Sequence, residues 1–298
     1  MNYEGQICRP PIEKSSFMLP VAVGCAYNLC TFCTLFKHLT YRLLPLEQVE
    51  AELQRVHALG GNPTQVFLGD GNAFGMDTER LLTILKKISH YFPNCKMVNM
   101  DATVTDILSK TDDELQALQK AGLRHLYLGI ESGLEDILSF TKKDHDIAQA
   151  EHAIARIQSA GMIFDAHIMT GISGAGRGIE NAEQLAVFFN RTKPKRVINF
   201  SLFLHEKAPL YQDILSKRFI PANELENLLE ARKLIELLDV DNMQYDGFHD
   251  QVELRIWGTL PKDKQKMLER LDSYIDKYRD QELIYSFVPA SSQSYYCK

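Results

Sequence analysis

Between residues 17 and 205 the apolar pattern changes period repeatedly, a short strand-like run followed by a helical stripe. Alternation of this kind is satisfied by β/α units feeding a parallel sheet. The first run is Phe17 to Val23. Pro45 then opens a stripe of Leu46, Val49, Leu53 and Val56, closed by Gly60 and Gly61, and Gln65 to Leu68 reads as the second strand. Asp77 caps a helix carrying Leu81, Leu82, Leu85 and Ile88, before a third strand at Lys96 to Met100. Thr111 with Glu114 forms a capping box, and that helix ends at Ala121-Gly122 ahead of strand four, His125 to Ile130. Ala160-Gly161 repeats the phrase after Ala153, Ile154 and Ile157, leading into Met162 to Met169. A helix over about 180–190 precedes Arg196 to Phe203. The expected fold is α/β: a partial (β/α)6 TIM-like barrel, about six units against the eight of a closed barrel.

Past Pro209 the alternation stops. The expected organisation is an N-terminal segment over 1–16, the partial barrel over 17–210, and a helical C-terminal extension over 211–298 packed on it. Helices are expected over 224–238 and 262–278, with Gln244 to Asp250 between them as a loop. No apolar run approaches the roughly 20 residues of a membrane span, and the start lacks a signal-peptide pattern, so the expectation is a soluble cytoplasmic protein with no membrane partner. A net charge of −6 offers no basic footprint, which makes nucleic acid an unlikely partner.

Six cysteines in 298 residues are too sparse for a disulfide scaffold. Three of them fall in Gly24-Cys25-Ala26-Tyr27-Asn28-Leu29-Cys30-Thr31-Phe32-Cys33, directly after the first strand. Three soft thiolates on one loop suit an iron-sulfur cluster held by one corner, with one iron left open for chemistry. The competing reading is a zinc knuckle, for which His38 is the fourth ligand by spacing.

The loop resembles that of radical S-adenosylmethionine (SAM) enzymes. Their commonest pattern is CxxxCxxC; here the first gap is four residues, giving the variant CxxxxCxxC. The likeness continues over successive strand ends, and Gly129-Ile130-Glu131-Ser132-Gly133 is similar to the GIESG phrase of coproporphyrinogen-dehydrogenase-like and elongator-like members. The resemblance implies an oxygen-sensitive 4Fe-4S cluster on Cys25, Cys30 and Cys33, with SAM chelating the fourth iron. One electron into the sulfonium then yields methionine and a 5′-deoxyadenosyl radical, which abstracts hydrogen from a substrate. It further implies Phe32 beside the adenine, Gly69-Asp70-Gly71 receiving the SAM amino group, and Glu131, in the phrase with Ser132, on the ribose. Arg156 is implied on the SAM carboxylate, and the segment His167 to Gly174, with Ile172, along the adenine. Thr141-Lys142-Lys143-Asp144-His145 stands where that branch carries an Asn-Lys-Gly-His phrase.

Residues left over for a substrate are Asp101 and Asn99 at the end of strand three, His205 after strand six, Tyr245 and His249 in the expected loop, and Cys297 in the tail. Cys8, Cys95 and Cys297 are dispersed, so a single cluster is expected. The expected function is a radical SAM enzyme acting on a small molecule, fed by a low-potential donor such as flavodoxin or ferredoxin. The alternatives are an RNA-modifying radical SAM enzyme and a non-catalytic iron-sulfur or zinc protein for redox sensing.

Overall fold

The computed structural model describes residues 8–281, Tyr285 and the backbone of residues 287–288. Its strands are β1 (Phe17–Gly24), β2 (Arg42–Leu43), β3 (Gln65–Gly71), β4 (Met97–Ala102), β5 (Leu123–Glu131), β6 (Ile163–Thr170), β7 (Arg196–Ser201), β8 (Leu204–His205), β9 (Gln244–His249), β10 (Leu254–Thr259) and β11 (Phe287–Val288). Nine form one sheet in the order β10-β9-β7-β6-β5-β4-β3-β1-β2, while β8 and β11 make a separate parallel pair. From β1 to β9 every pairing in the large sheet is parallel, and only the edge strands β2 and β10 run antiparallel. Successive parallel strands are neighbours and the winding never reverses. That is a singly wound partial barrel rather than a doubly wound sheet.

The helices are α1 (Leu46–Ala58), α2 (Thr78–Tyr91), α3 (Val104–Ser109), α4 (Asp112–Lys120), α5 (Glu135–Phe140), α6 (Ile147–Ser159), α7 (Gly178–Thr192), α8 (Leu210–Leu215), α9 (Glu224–Leu237) and α10 (Lys264–Tyr278). Their starts follow local chemistry. Asp77 accepts from Arg80 N, and reciprocal capping boxes join Thr111 to Glu114, Asp146 to Gln149 and Asn223 to Glu226. Each such cap contributes about 1 kcal/mol. The apolar stripes of these helices, among them Leu53, Leu85, Leu118 and Ile157, meet the outward strand residues Leu19, Leu68, Met100 and Leu128 in the main core. Among the described residues no helix is long and apolar enough to cross a membrane.

One sequence expectation is corrected. Gln244–His249 is not a loop but a seventh parallel strand beside β7, and β10 returns against it. Its burial alternates strictly, with Tyr245, Gly247 and His249 buried and Gln244, Asp246 and Phe248 half-buried on the other face. Gly, Asp and Gln are poor strand formers, so the pairing against β7 overrides propensity here. The C-terminal extension therefore adds a strand pair to its helices.

Inside the barrel a second, small cluster joins Phe67, Tyr127 and Ile198 to Phe200 and Phe248. The N-terminal segment forms its floor. Glu13 is buried and accepts from Asn99 Nδ2 (2.8 Å) and Tyr127 OH (2.6 Å), and from Ser16 Oγ.

Candidate functional site

The carboxyl ends of β1 and β3 touch. A Cβ on Gly71 (φ +143°) would stand 1.8 Å from Gly24 O, so only glycine lets the cysteine loop and the Gly69-Asp70-Gly71 segment come together. Beyond Gly24 the cysteine loop is tied down at several points. Thr31 N donates to Thr141 O (2.9 Å), Tyr27 OH to Lys142 O (2.7 Å) and Leu210 N to Thr31 O (2.9 Å). Asn28 Nδ2 bonds Phe36 O (3.0 Å) across the loop. Four non-glycine residues at these strand ends have left-handed backbone: Asn28, Asp70, Glu131 and Lys142, with φ of 47°, 72°, 63° and 54°. Such conformations cost of order 1–3 kcal/mol and concentrate at functional sites.

Cys25, Cys30 and Cys33 are free and half-buried on this loop, and Cys30 and Cys33 lie close enough to act on each other's charge. Burial pushes the Cys30 thiol up to about 11 against the pull of Lys143, and raises Cys33 as well. Without metal the Cys30 and Cys33 sulfurs hold their protons, and iron binding must displace them. Among the described residues no group of three or more His, Cys, Asp or Glu side chains gathers as a single metal ion would require. Three thiols each addressing a different iron of a cubane need no such convergence. His38 is exposed on the loop.

Facing the cysteines, Glu131 meets Lys143, a pairing the sequence did not announce. The register of β5 against β6 shifts between Gly129 and Glu131, a bulge that aims Glu131 back over the glycine. A Cβ on Gly129 would lie 2.3 Å from Glu131 Oε1 and 3.2 Å from Lys143 Nζ. Lys143 Nζ stands 3.7 Å from Glu131 Oε1 and 3.5 Å from Asp144 Oδ1, all three side chains being buried. Burial raises the Glu131 carboxyl and Lys143 counters it, while Glu131, Cys30 and Asp144 hold the ammonium charged despite burial. Lys143 was legible as part of the phrase Thr141 to His145, but its role depends on the bulge.

Phe32 and Ile172 share an apolar cluster with Leu134, Leu202, Leu204 and Phe219, against which Cys30 and Cys33 pack. Behind it runs a buried polar relay. Ser132 Oγ and Gly133 N donate to Asn181 Oδ1 (2.7 and 2.9 Å), Asn181 Nδ2 donates to Glu230 Oε1 (2.7 Å), and Gly171 N donates to Glu230 Oε2 (2.8 Å). The C-terminal extension thereby holds the ends of β5 and β6 in one arrangement.

Glu230 also gives stability a pH dependence. Burial pushes its carboxyl up to about 7 from an ordinary 4.5, and burial with Glu13 nearby pushes Asp101 up to about 7 from 3.8. Between those limits the native state holds two protons that the unfolded chain has released, so the contribution of these two carboxyls to stability falls as pH rises from about 4 to 7 and then levels. The Glu230 share is on the order of 3 kcal/mol. His167, pushed by burial down to about 4, acts in the opposite sense over the same range, so the expected result is a difference: urea unfolding should show the native chain losing on the order of 3 kcal/mol relative to Glu230→Gln between about pH 4 and 7.

Buried polar atoms without a partner gather around the same strand ends: Tyr41 OH, Asn72 Oδ1, Ser173 Oγ and His167 Nε2. Unsatisfied groups of this kind ask for a ligand. The glycine contact, the thiols and these unsatisfied atoms are chemically suited to a cluster and a polar cofactor.

Other sequence candidates fall elsewhere. Arg156 is committed to the α3–α4 junction, bonding Asp112 Oδ1 (2.7 Å), Ile107 O (3.2 Å) and Lys110 O (2.5 Å). Tyr245 is buried in the main core, its OH accepting from Asn199 Nδ2 (2.8 Å). His249 is buried against Glu224 Oε1 (3.1 Å) and Ser201 Oγ (3.2 Å). Strand parity turns both away from the lumen. Asn99 serves Glu13, while Asp101 remains inside the barrel; Asp70 is buried at the end of β3. His205 is half-buried on β8 and its Nδ1 accepts from Lys207 N (3.0 Å). Cys297 lies outside the described residues.

A thiol loop, an acid and a buried ammonium at the carboxyl end of a partial β/α barrel define a cluster-dependent enzyme. A family model, the radical SAM superfamily, matches residues 19–185. The chain belongs to that superfamily, whose enzymes use a 4Fe-4S cluster and SAM. No curated protein matches its sequence. Similar solved structures include coproporphyrinogen III oxidase (HemN) of Escherichia coli, a radical SAM enzyme (TM-score 0.58, 14% identity, 74% of this chain and 52% of that one). The radical SAM methyltransferase TsrM of Kitasatospora setae, seen with cobalamin and a [4Fe-4S] cluster, gives a TM-score of 0.55 at 17% identity over 68% of this chain. The archaeal Elp3 of Methanocaldococcus infernus gives 0.54 at 15% identity, over 89% of this chain and 63% of that one. These likenesses are of fold, and the chain spans 39% of the TsrM chain's length.

Proposed function

We propose that this chain reductively cleaves SAM and uses the resulting 5′-deoxyadenosyl radical to abstract hydrogen from a small-molecule substrate in the barrel lumen. When bound, the cluster supplies the electron that breaks the carbon–sulfur bond. The protein's part is binding and placement. Cys25, Cys30 and Cys33 hold the cluster at the end of β1; Glu131 accepts the ribose hydroxyls; Phe32 and Ile172 flank the adenine. Lys143, rather than Arg156, provides the cation for the SAM carboxylate. The observation that carries this reading is the buried Lys143–Glu131 pair folded over Gly129, beside the thiols. A low-potential flavodoxin or ferredoxin supplies the electron. Chain reconstituted anaerobically with iron and sulfide, then reduced by dithionite with SAM, should release 5′-deoxyadenosine and methionine in equal amounts. A fully loaded cluster that binds SAM yet releases neither product would sink the proposal.

A further inference from the structure

Alternation along β4 sends Val98, Met100 and Ala102 into the main core and Asn99 and Asp101 into the lumen. Asn99 is fully used, donating to Glu13 and accepting from His125 N (3.1 Å). Asp101 is not. Among the described residues the one charged group acting on it is Glu13, another acid. The other inward carboxylates have partners: Glu13 has three hydrogen-bond donors, Asp165 has Arg196 (3.6 Å) beside His125 (2.5 Å), Asp246 has Arg255 (2.7 Å), and Glu131 has Lys143 (3.7 Å). Asp101 is half-buried, and a carboxyl partly withdrawn from water without a cation either holds its proton more tightly or is met by a cationic ligand. Asp101, pushed up to about 7, is poised between the two.

Two further features face the same space. His167 packs edge-on to Tyr127 (5.7 Å between centroids) and beside Phe200 (6.2 Å), and its Nε2 is out of solvent with no partner. Burial and Lys143 push the imidazole down to about 4, so it enters as a neutral hydrogen-bonding group that does not repel a cation. Phe200 and Phe248 stack at 5.2 Å with 16° between planes, an apolar wall whose Phe248 ring is also covered by the Arg255 guanidinium at 5.0 Å. Lys143 lies over Gly129, one step further along β5 than Tyr127, the residue that pairs with Asp101. The lumen is thus cationic toward the thiols and anionic toward its floor.

Resting on the radical SAM reading, we propose that the substrate is a small molecule with a protonated amine, held by Asp101 at the lumen floor with His167 as hydrogen-bonding neighbour. Its apolar body lies along Phe200 and Phe248. This polarity turns the amine down and a C–H bond up toward the cysteine loop, and disfavours a carboxylate in the same place.

Three isosteric probes test it: pentylamine, pentanol and pentanoate, titrated calorimetrically into the cluster-loaded, SAM-bound full chain. Pentylamine should bind at least tenfold more tightly than either of the others, and Asp101→Asn should remove most of that preference. Perdeuterated probes give a second readout under dithionite. Homolysis of a C–D bond sends deuterium to C5′ and leaves the unpaired electron on the probe carbon, where dithionite supplies an electron and solvent a proton. Deuterated 5′-deoxyadenosine should form from the amine and not from pentanoate. Pentanoate binding as well as pentylamine, or an Asp101→Asn chain with undiminished preference, overturns the proposal. Should that variant fail to fold, the ranking on the native chain decides alone. Absence of any 5′-deoxyadenosine would instead count against the radical SAM reading, leaving the calorimetric ranking to judge the amine site.

Discussion

Alanine at Cys25, Cys30 or Cys33 is expected to bring bound iron and sulfide, and 5′-deoxyadenosine release, down to background, while Cys95→Ala leaves both at the native level. The three thiols share one loop pinned to residues 141, 142 and 210, whereas Cys95 sits in the turn between α2 and β4, its Sγ against Met97 O (3.4 Å). With three ligands available, losing one leaves two, too few to hold a cubane by a corner. The fold should survive. Removing one half-buried sulfur costs about 1 kcal/mol of transfer free energy, a small fraction of the stability of a domain this size. Unfolding curves of the apo-proteins should therefore nearly superimpose while cluster absorbance disappears. A Cys25→Ala chain that still carried a full cluster and cleaved SAM would remove Cys25 from the ligand set.

Most of the barrel was legible because its signals are local. Period changes marked β1 and β3 to β7 within a few residues, and Asp77 and the Thr111–Glu114 box cap their helices as read. The cysteine loop was legible for the same reason, its spacing being contained in ten residues. Properties decided by parity or long-range pairing were not. Reading Gln244 to Asp250 as a loop concealed which residues face inward, so Tyr245 and His249 were taken as candidates while Asp246 and Phe248, one residue out of phase, line the lumen. Arg156 was placed at the site by the family resemblance, yet Asp112 and two carbonyls more than 40 residues away claim it. No local pattern announced that Glu13 would close the barrel floor, or that Glu230 would brace Gly171 from the C-terminal extension.

Lys143→Met should weaken both SAM binding and the fold, and the two losses should separate. The native ammonium sits between Glu131 and Asp144 with its side chain only 8% exposed. Asp144 keeps His145 Nδ1 (3.0 Å) and Thr105 N (3.0 Å) when the lysine goes, but Glu131 loses its one salt-bridge partner among the described residues. Breaking a buried pair by removing one member costs about 3–5 kcal/mol, mostly as the penalty on the carboxylate left behind. With burial no longer opposed, Glu131 relieves that penalty by taking a proton. Combining Lys143→Met with Glu131→Gln removes the stranded charge, so the double variant should regain much of the lost unfolding free energy. SAM affinity should not recover with it. A charge-assisted hydrogen bond is worth about 1.5–3 kcal/mol, which corresponds to a roughly 10- to 100-fold weaker dissociation constant for Lys143→Met. The double variant lacks the Glu131 carboxylate as well and should bind more weakly still, whereas Lys143→Arg, which keeps the charge, should stay closer to the native chain. Equilibrium titration of SAM into the cluster-loaded proteins, set beside their unfolding curves, measures both. If affinity returned together with stability in the double variant, Lys143 would be a structural counter-ion and the SAM carboxylate would have to be met by another group.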